Sequence, residues 1–162
     1  MSPRQTRTVR IVRRVSSSRP FARVAPVVLP PLDRALHRLT RGRVLLSAAL
    51  LPSLLLTVPG ARTGLPRTTP LAALPEPPDS WLLIGSNFGR PAHPVWTANL
   101  LAHPDAEVSW HGETVPVRAR LLAGEERAEA WRRLVVFWPP YATYQARVSR
   151  EIRVFRVTRR AL

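Results

Sequence analysis

The chain contains no cysteine, which excludes a disulfide framework, a thiolate metal site and a cysteine nucleophile. Lysine is absent as well, so all 25 basic residues are arginines and no Walker-type phosphate loop is present. Acids are few, 10 in 162 residues, and the resulting formal charge of +15 favours anionic partners such as phosphate, nucleic acid or an acidic lipid surface. Glycine is also scarce, at 7 against 18 prolines, so the chain should break into short elements. The four histidines, His37, His93, His103 and His111, do not form a metal-ligand spacing. No apolar run is long enough to span a bilayer. The longest, residues 44–58, has fifteen positions interrupted by Pro52, against the roughly 20 a transmembrane helix needs. It lies behind more than forty residues, unlike a secretory signal. What remains is a globular composition with length for one core.

The charge is unevenly placed. Residues 1–43 hold eleven arginines and a single acid, Asp33, for a net +10, whereas residues 44–162 hold fourteen arginines and nine acids, for a net +5. This divides the chain into a basic N-terminal arm, 1–43, and a folded domain, 44–162. Within the arm, Leu32, Leu36 and Leu39 share one face of a short helix predicted over 32–40. Such an arm can rest on anionic lipid, cover the domain, or remain a basic tail.

In the domain, strands are predicted at 53–58, 65–74, 81–85, 106–110, 114–122 and 152–157. The fifth alternates. Val115, Val117, Ala119 and Leu121 face one way and Pro116, Arg118 and Arg120 the other, with Pro116 marking a sheet edge. A helix opens at Pro94, carries Trp96, Leu100 and Leu101, and ends at Pro104. Another begins at Glu125 and Glu126, with Ala128, Trp131, Leu134, Val135 and Trp138 as its apolar face, and stops at Pro139 and Pro140. Glu125, Glu126 and Glu129 read as a solvated acidic face. The pattern indicates a mainly β, α+β domain: a small, partly closed barrel with short inserted helices. It lacks the strand-helix alternation of a doubly wound sheet, and Gly60 to Gly64 is not a dinucleotide fingerprint.

Three segments carry candidate chemistry. The turn from Gly60 to Arg67 combines two glycines, Thr63 and the forked donors of Arg62 and Arg67, with backbone N–H groups expected to form a phosphate nest; a plain surface turn is the simpler reading. The loop Ser86-Asn87-Phe88-Gly89-Arg90 follows a strand directly, and Asn99, in an otherwise apolar helix, needs a partner as ligand contact or strut. The segment from Trp138 to Gln145 offers aromatics to wall a planar ligand and the hydroxyls of Tyr141 and Tyr144, or else completes the core. No Ser-His-acid spacing supports hydrolysis, and no nucleic-acid-recognition motif accompanies the arginines.

Taken in order, 54–71, Ser86-Asn87-Phe88-Gly89, His93-Pro94-Val95-Trp96, Asn99-Leu100, His103-Pro104, Trp138-Pro139-Pro140-Tyr141 and Tyr144-Gln145 resemble the deazaflavin (F420)-dependent nitroreductase family over residues 44–158. The resemblance implies a split β-barrel related to flavin reductases and coenzyme F420, a deazaflavin with a phosphate and an acidic polyglutamate tail. FMN is the alternative cofactor. It further implies that Arg62, Thr63, Gly64, Arg67, Thr68, Thr69 and Pro70 cradle the phosphate and tail. Ser86, Asn87, Phe88, Gly89, Asn99 and Trp138 would lie beside the cofactor, with Tyr141, Tyr144 and Ser86 as catalytic groups. Ala61 and Arg62 stand where members usually carry Arg and Lys, Phe88 replaces a small residue, and Trp138 a tyrosine, so the hydroxyl at that last position is lost.

The implied activity is hydride transfer from reduced F420 to a quinone, an activated alkene or a nitroaromatic. A cofactor- or haem-binding, membrane-associated accessory protein without turnover is the alternative. The expected partners are a small-molecule electron acceptor and an anionic membrane surface, not nucleic acid. A monomer or homodimer in the cytoplasm, or on the inner face of the cell membrane, is the expected setting.

Overall fold

The computed structural model describes residues 51–161. The basic arm 1–43, its helix at 32–40 and the apolar residues 44–50 lie outside the described residues. Six antiparallel strands close a barrel: β1 (Ser53–Pro59), β2 (Pro66–Glu76), β3 (Ser80–Ile84), β4 (Asp105–Trp110), β5 (Glu113–Leu121) and β6 (Val154–Arg159). Their order around the barrel is β1-β2-β3-β6-β5-β4. Three helices are inserted: α1 (Val95–Ala102), α2 (Gly124–Phe137) and α3 (Pro140–Ala146). None of them is long and apolar enough to cross a membrane.

Alternation decides what fills the barrel. Leu54, Leu56 and Val58 of β1, Trp81 and Leu83 of β3, Val115, Val117 and Ala119 of β5, and Phe155 and Val157 of β6 point inward. They meet Trp96 and Leu100 of α1. The other face of β3 and β6 is covered too. Leu82, Ile84 and Val154 pack beneath Ala130 and Leu134 of α2 and Tyr141 and Tyr144 of α3. β3 is therefore apolar at every position from Trp81 to Ile84, a run buried on both faces.

Several expectations are corrected here. Pro116 does not mark an edge, because β5 pairs with both β4 and β6. It lies just beyond the last β5–β6 pair, Val117 with Arg159, and there bonds across only through its carbonyl, which accepts from Arg160 N–H at 2.9 Å. Leu121 follows the alternation but is 41% exposed, since it sits at the barrel rim with no layer over it; its neighbour Leu122 is buried instead. In α1 the buried positions are Trp96, Thr97, Asn99 and Leu100, while Leu101 faces outward. In α2 the buried centre is Ala130 and Leu134, with Trp131 and Val135 flanking it.

The acids of α2 do not form a purely solvated face. Glu126 receives both Nη atoms of Arg120 at 2.6 Å and also accepts from Arg156, while Arg132 reaches Glu129 at 2.5 Å. Arg156 also donates from Nε to Glu76 at 2.6 Å, and Arg133 completes that pair from α2. Burial by itself raises the Glu76 carboxyl, but the hydrogen bonds and charges of Arg156 and Arg133 outweigh it and hold the group below its ordinary value of 4.5. A depressed carboxylate stabilises the fold above its unfolded value and loses that contribution as pH falls through the folded one. The melting temperature should therefore drop as pH is lowered from 4.5. Glu76→Gln should melt lower than the parent at pH 7 and show a flatter acid limb; an unchanged acid limb would remove Glu76 from the account.

Candidate active site

One end of the barrel gathers the segments singled out in the sequence. The β1–β2 turn, the loop after β3, α1 and the strand lead-in before β6 all lie there. The turn begins with a close approach. A Cβ on Gly60 would stand 2.9 Å from Thr63 Oγ1, so only glycine fits without displacing that hydroxyl. Most N–H groups of the turn are engaged inside the protein. Gly60 N–H donates to Leu65 O at 2.9 Å, Thr63 and Gly64 N–H donate to Gly60 O, and Leu65 N–H donates to Thr63 Oγ1. Ala61 N–H is taken by Asn99 Oδ1 at 3.0 Å. Most of the turn's N–H groups are thus engaged, and the side chains of Arg62 and Arg67 stand exposed beside it.

Asn99 is thereby a strut. It is 3% exposed, and its amide oxygen pins the turn to α1 across 38 residues of sequence. Asn99→Leu removes this acceptor and should cost about 1 kcal/mol of stability. If the expected F420 site lies at this turn, releasing the turn should also weaken F420 binding about fivefold. Thermal melts and a cofactor titration check the two effects separately.

The loop after β3 is a 3₁₀ turn, Asn87–Gly89, with three consecutive positive φ angles: 48° at Asn87, 55° at Phe88 and 72° at Gly89. Asn87 is occupied locally, its Nδ2 donating to Ala92 O at 2.8 Å. Gly89 is required, because a Cβ there would lie 3.0 Å from both the Cα and the carbonyl oxygen of Tyr144. The turn is thus pressed against α3. Phe88 meets the Tyr144 ring edge-on at 6.1 Å, and Tyr144 meets Tyr141 edge-on at 6.2 Å.

Both tyrosines, on the inner side of α3, and Trp138, between α2 and α3, lie in the core at 4%, 2% and 7% exposure for Tyr141, Tyr144 and Trp138. Burial, with Tyr144 adding to it, pushes the Tyr141 phenol above its usual range, so it stays protonated at neutral pH and can only donate or accept a hydrogen bond. The structure brings Phe88, Tyr144 and Tyr141 together. Arg62, Thr63, Gly64, Arg67 and Thr68 remain on the exposed turn and strand start. Thr68 is bonded to Thr57, Oγ1 to Oγ1, at 2.9 Å, and Thr69 and Pro70 follow it half-buried along β2.

The charges explain the polarity of this end. Arg62, Arg67, Arg90, Arg150 and Arg153 have no carboxylate partner among the described residues, whereas Arg118, Arg120, Arg127, Arg132, Arg133, Arg156, Arg159 and Arg160 are all ion-paired. Arg62, Arg67 and Arg90 of this group are exposed and leave positive charge at the end bearing the Gly60 turn. A depression of about 220 Å³ at the opposite end is lined by Pro77, Trp81, Trp110, Glu113 and Arg159, and its arginine is already neutralised by Glu113 at 2.9 Å.

The match to the F420H(2)-dependent quinone reductase family model runs over residues 33–159, most of the chain. This chain belongs to that family. An F420H(2)-dependent quinone reductase of Mycobacterium tuberculosis is 36% identical over 148 residues, covering 88% of this chain and 98% of the relative. Among solved structures, an F420-H2 dependent reductase superposes with a TM-score of 0.60 at 38% identity, covering 65% of this chain and 93% of that one. A chain described as a domain-swapped dimer superposes at 0.63 with 34% identity, covering 76% of this chain and 94% of that one. The barrel is of the flavin-reductase-like type. As a member of the quinone reductase family the protein is an F420H2-dependent reductase, and F420 is its cofactor. The residues present suit that group: the guanidiniums without carboxylate partners at the Gly60 end match a phosphate and an acidic tail in charge.

Sequence reasoning missed Arg150, Arg153, Thr97 and the bonding role of Gln145. Arg153 Nη1 donates to Thr97 Oγ1 at 3.0 Å, and Gln145 holds the backbone of residues 150 and 152. Arg150 and Arg153 carry no periodic signal in a stretch already crowded with arginines. Gln145 was visible only as part of the Tyr144-Gln145 motif.

Proposed function

We propose that the protein transfers a hydride from reduced F420 to a quinone at the barrel end that bears the Gly60 turn. The observation that carries this reading is the convergence of two exposed arginines without a carboxylate partner among the described residues, Arg62 and Arg67, with the Ser86–Gly89 loop at one barrel end in a member of the F420H(2)-dependent quinone reductase family. Reduced F420 supplies the hydride when bound. Arg62 and Arg67, with Thr63, Thr68 and Thr69 nearby, hold its anionic portion. Ser86, Asn87, Phe88 and Gly89 border the ring, and Gly89 keeps the loop seated on Tyr144. Tyr141 stays a protonated phenol, and with Tyr144 it packs against the loop, positions it and offers a hydroxyl toward the acceptor. Trp138, without a hydroxyl, contributes packing, so Ser86 or solvent takes any proton role at that position.

Nitroaromatics and activated alkenes are further acceptors for the same hydride. The experiment is the loss of F420H2 absorbance on adding a benzoquinone, a naphthoquinone, a nitroaromatic or an activated alkene in turn. Quinone-dependent consumption supports the reading, and its absence with both quinones overturns it.

Two features complete the proposal. The likeness to a domain-swapped dimer supports a homodimer, which light scattering of the purified protein measures. The +10 arm of residues 1–43 supports attachment of the 44–162 domain to anionic lipid. Equal low-salt partitioning of full-length and arm-truncated protein onto anionic vesicles would end that idea.

A further inference from the structure

Arg150 lies outside every motif assigned to the site, yet its guanidinium is fully occupied. Nε donates to Arg90 O at 3.2 Å, Nη1 to Gly85 O at 3.3 Å and to His93 Nδ1 at 3.2 Å, and Nη2 to Ser86 O at 3.0 Å and Arg90 O at 3.1 Å. These five bonds use all five N–H donors of the group. The chain from Gly85 to His93 is thus wrapped around one cation, with the 3₁₀ turn at its middle. Since a guanidinium cannot accept, His93 Nδ1 is the acceptor and the ring proton sits on Nε2. Burial, Arg153 and Arg150 together favour this neutral ring.

The anchor is itself anchored. Gln145 of α3 donates from Nε2 to Arg150 O at 2.9 Å, and its Oε1 accepts from Ile152 N–H at 2.9 Å. Gln145 follows Tyr144, whose backbone touches Gly89 from the other side. The loop is therefore held between Tyr144 and Arg150, and both are tied to one short helix.

We infer that Arg150, fixed by Gln145, is the positioning residue that sets the Ser86–Arg90 loop relative to the tyrosine-bearing helix and so tunes the binding of F420. It acts through the loop and needs no contact with the cofactor. Lysine cannot replace it, because an ammonium offers three donors from a single point and cannot span acceptors at residues 85, 86, 90 and 93.

The inference rests on the proposed site only where it concerns F420, and its test separates the two. Amide hydrogen exchange is measured on the parent, Arg150→Lys and Gln145→Leu proteins, alongside F420 titration and steady-state kinetics. In Arg150→Lys the Gly89 and Arg90 amides, which bond Ser86 O and Asn87 O at 3.0 Å, should exchange about tenfold faster while the β3–β6 amides keep their protection. The dissociation constant of F420 and the KM for F420H2 should rise about tenfold, with the KM for quinone little changed. Gln145→Leu should shift the same quantities in the same direction.

Unchanged exchange at Gly89 and Arg90 in both variants overturns the positioning role whatever F420 does. Faster loop exchange with unaltered F420 affinity overturns the link to the cofactor. A parent protein that fails to bind F420 overturns the proposed site, and the exchange data then still decide whether Arg150 orders the loop.

Discussion

Replacing Arg62 and Arg67 together by alanine should weaken F420 binding about a hundredfold, taking each lost charge-assisted contact as roughly 1.4 kcal/mol. The magnitude follows from their setting. Both are exposed, neither is engaged by a carboxylate among the described residues, and most backbone N–H groups of the turn are already bonded. The same isolation predicts that the double variant folds and melts like the parent, since exposed side chains without partners contribute little to stability. An isothermal titration and a thermal melt measure both halves. A hundredfold loss of affinity accompanied by a large drop in melting temperature would point to a damaged turn rather than a lost anion grip.

Phe155→Ala should be the most destabilising of the substitutions considered, by about 3–5 kcal/mol. Phe155 is 1% exposed, lies inside the barrel and meets the Trp96 ring at a centroid distance of 5.7 Å. A loss of that size is a large share of the roughly 5–15 kcal/mol that holds a domain folded. The effect should also reach the site. Trp96 belongs to the same short helix as Asn99, so a cavity beneath Trp96 loosens the strut that holds Ala61 and the arginine turn. Denaturant unfolding gives the first quantity, and F420 affinity at a temperature where the variant remains folded gives the second. Phe155→Leu, which leaves a smaller void, should lose less of both.

All six strands could be read from the chain because each carries a local signal. Alternation in β5, the apolar run of β3 and the turn chemistry at Gly60 and Gly112 are properties of a few adjacent residues. Closure of the sheet is not such a property. Pro116 looked like an edge because proline usually is one, and only the pairing of β5 with β6 shows that it sits just past the last pair and bonds across through its carbonyl. Leu121 is exposed against its alternation for the same kind of reason, since the rim of a barrel is defined by where the other strands stop.

The site divides similarly. Arg62 and Arg67 declared themselves by type and spacing, and Asn99 by being polar in an apolar helix. The turn's hydrogen bonding is less legible, because a glycine-rich segment can spend its N–H groups on its own carbonyls as readily as on a ligand. Burial of Tyr141 and Tyr144 beneath the loop, and the saturation of Arg150 by acceptors as many as 65 residues away, depend on long-range contacts that no local pattern encodes.

The central claim is one of location: F420 binds at the barrel end that carries the Gly60 turn and the Ser86–Gly89 loop. Backbone amide chemical shifts recorded during an F420 titration test it most directly. The account predicts saturable shifts at Thr63, Gly64, Ser86 and Gly89, with Trp110 and Glu113 at the opposite end unmoved. Shifts concentrated around Trp81, Trp110 and Glu113, with the Gly60 turn silent, would contradict it.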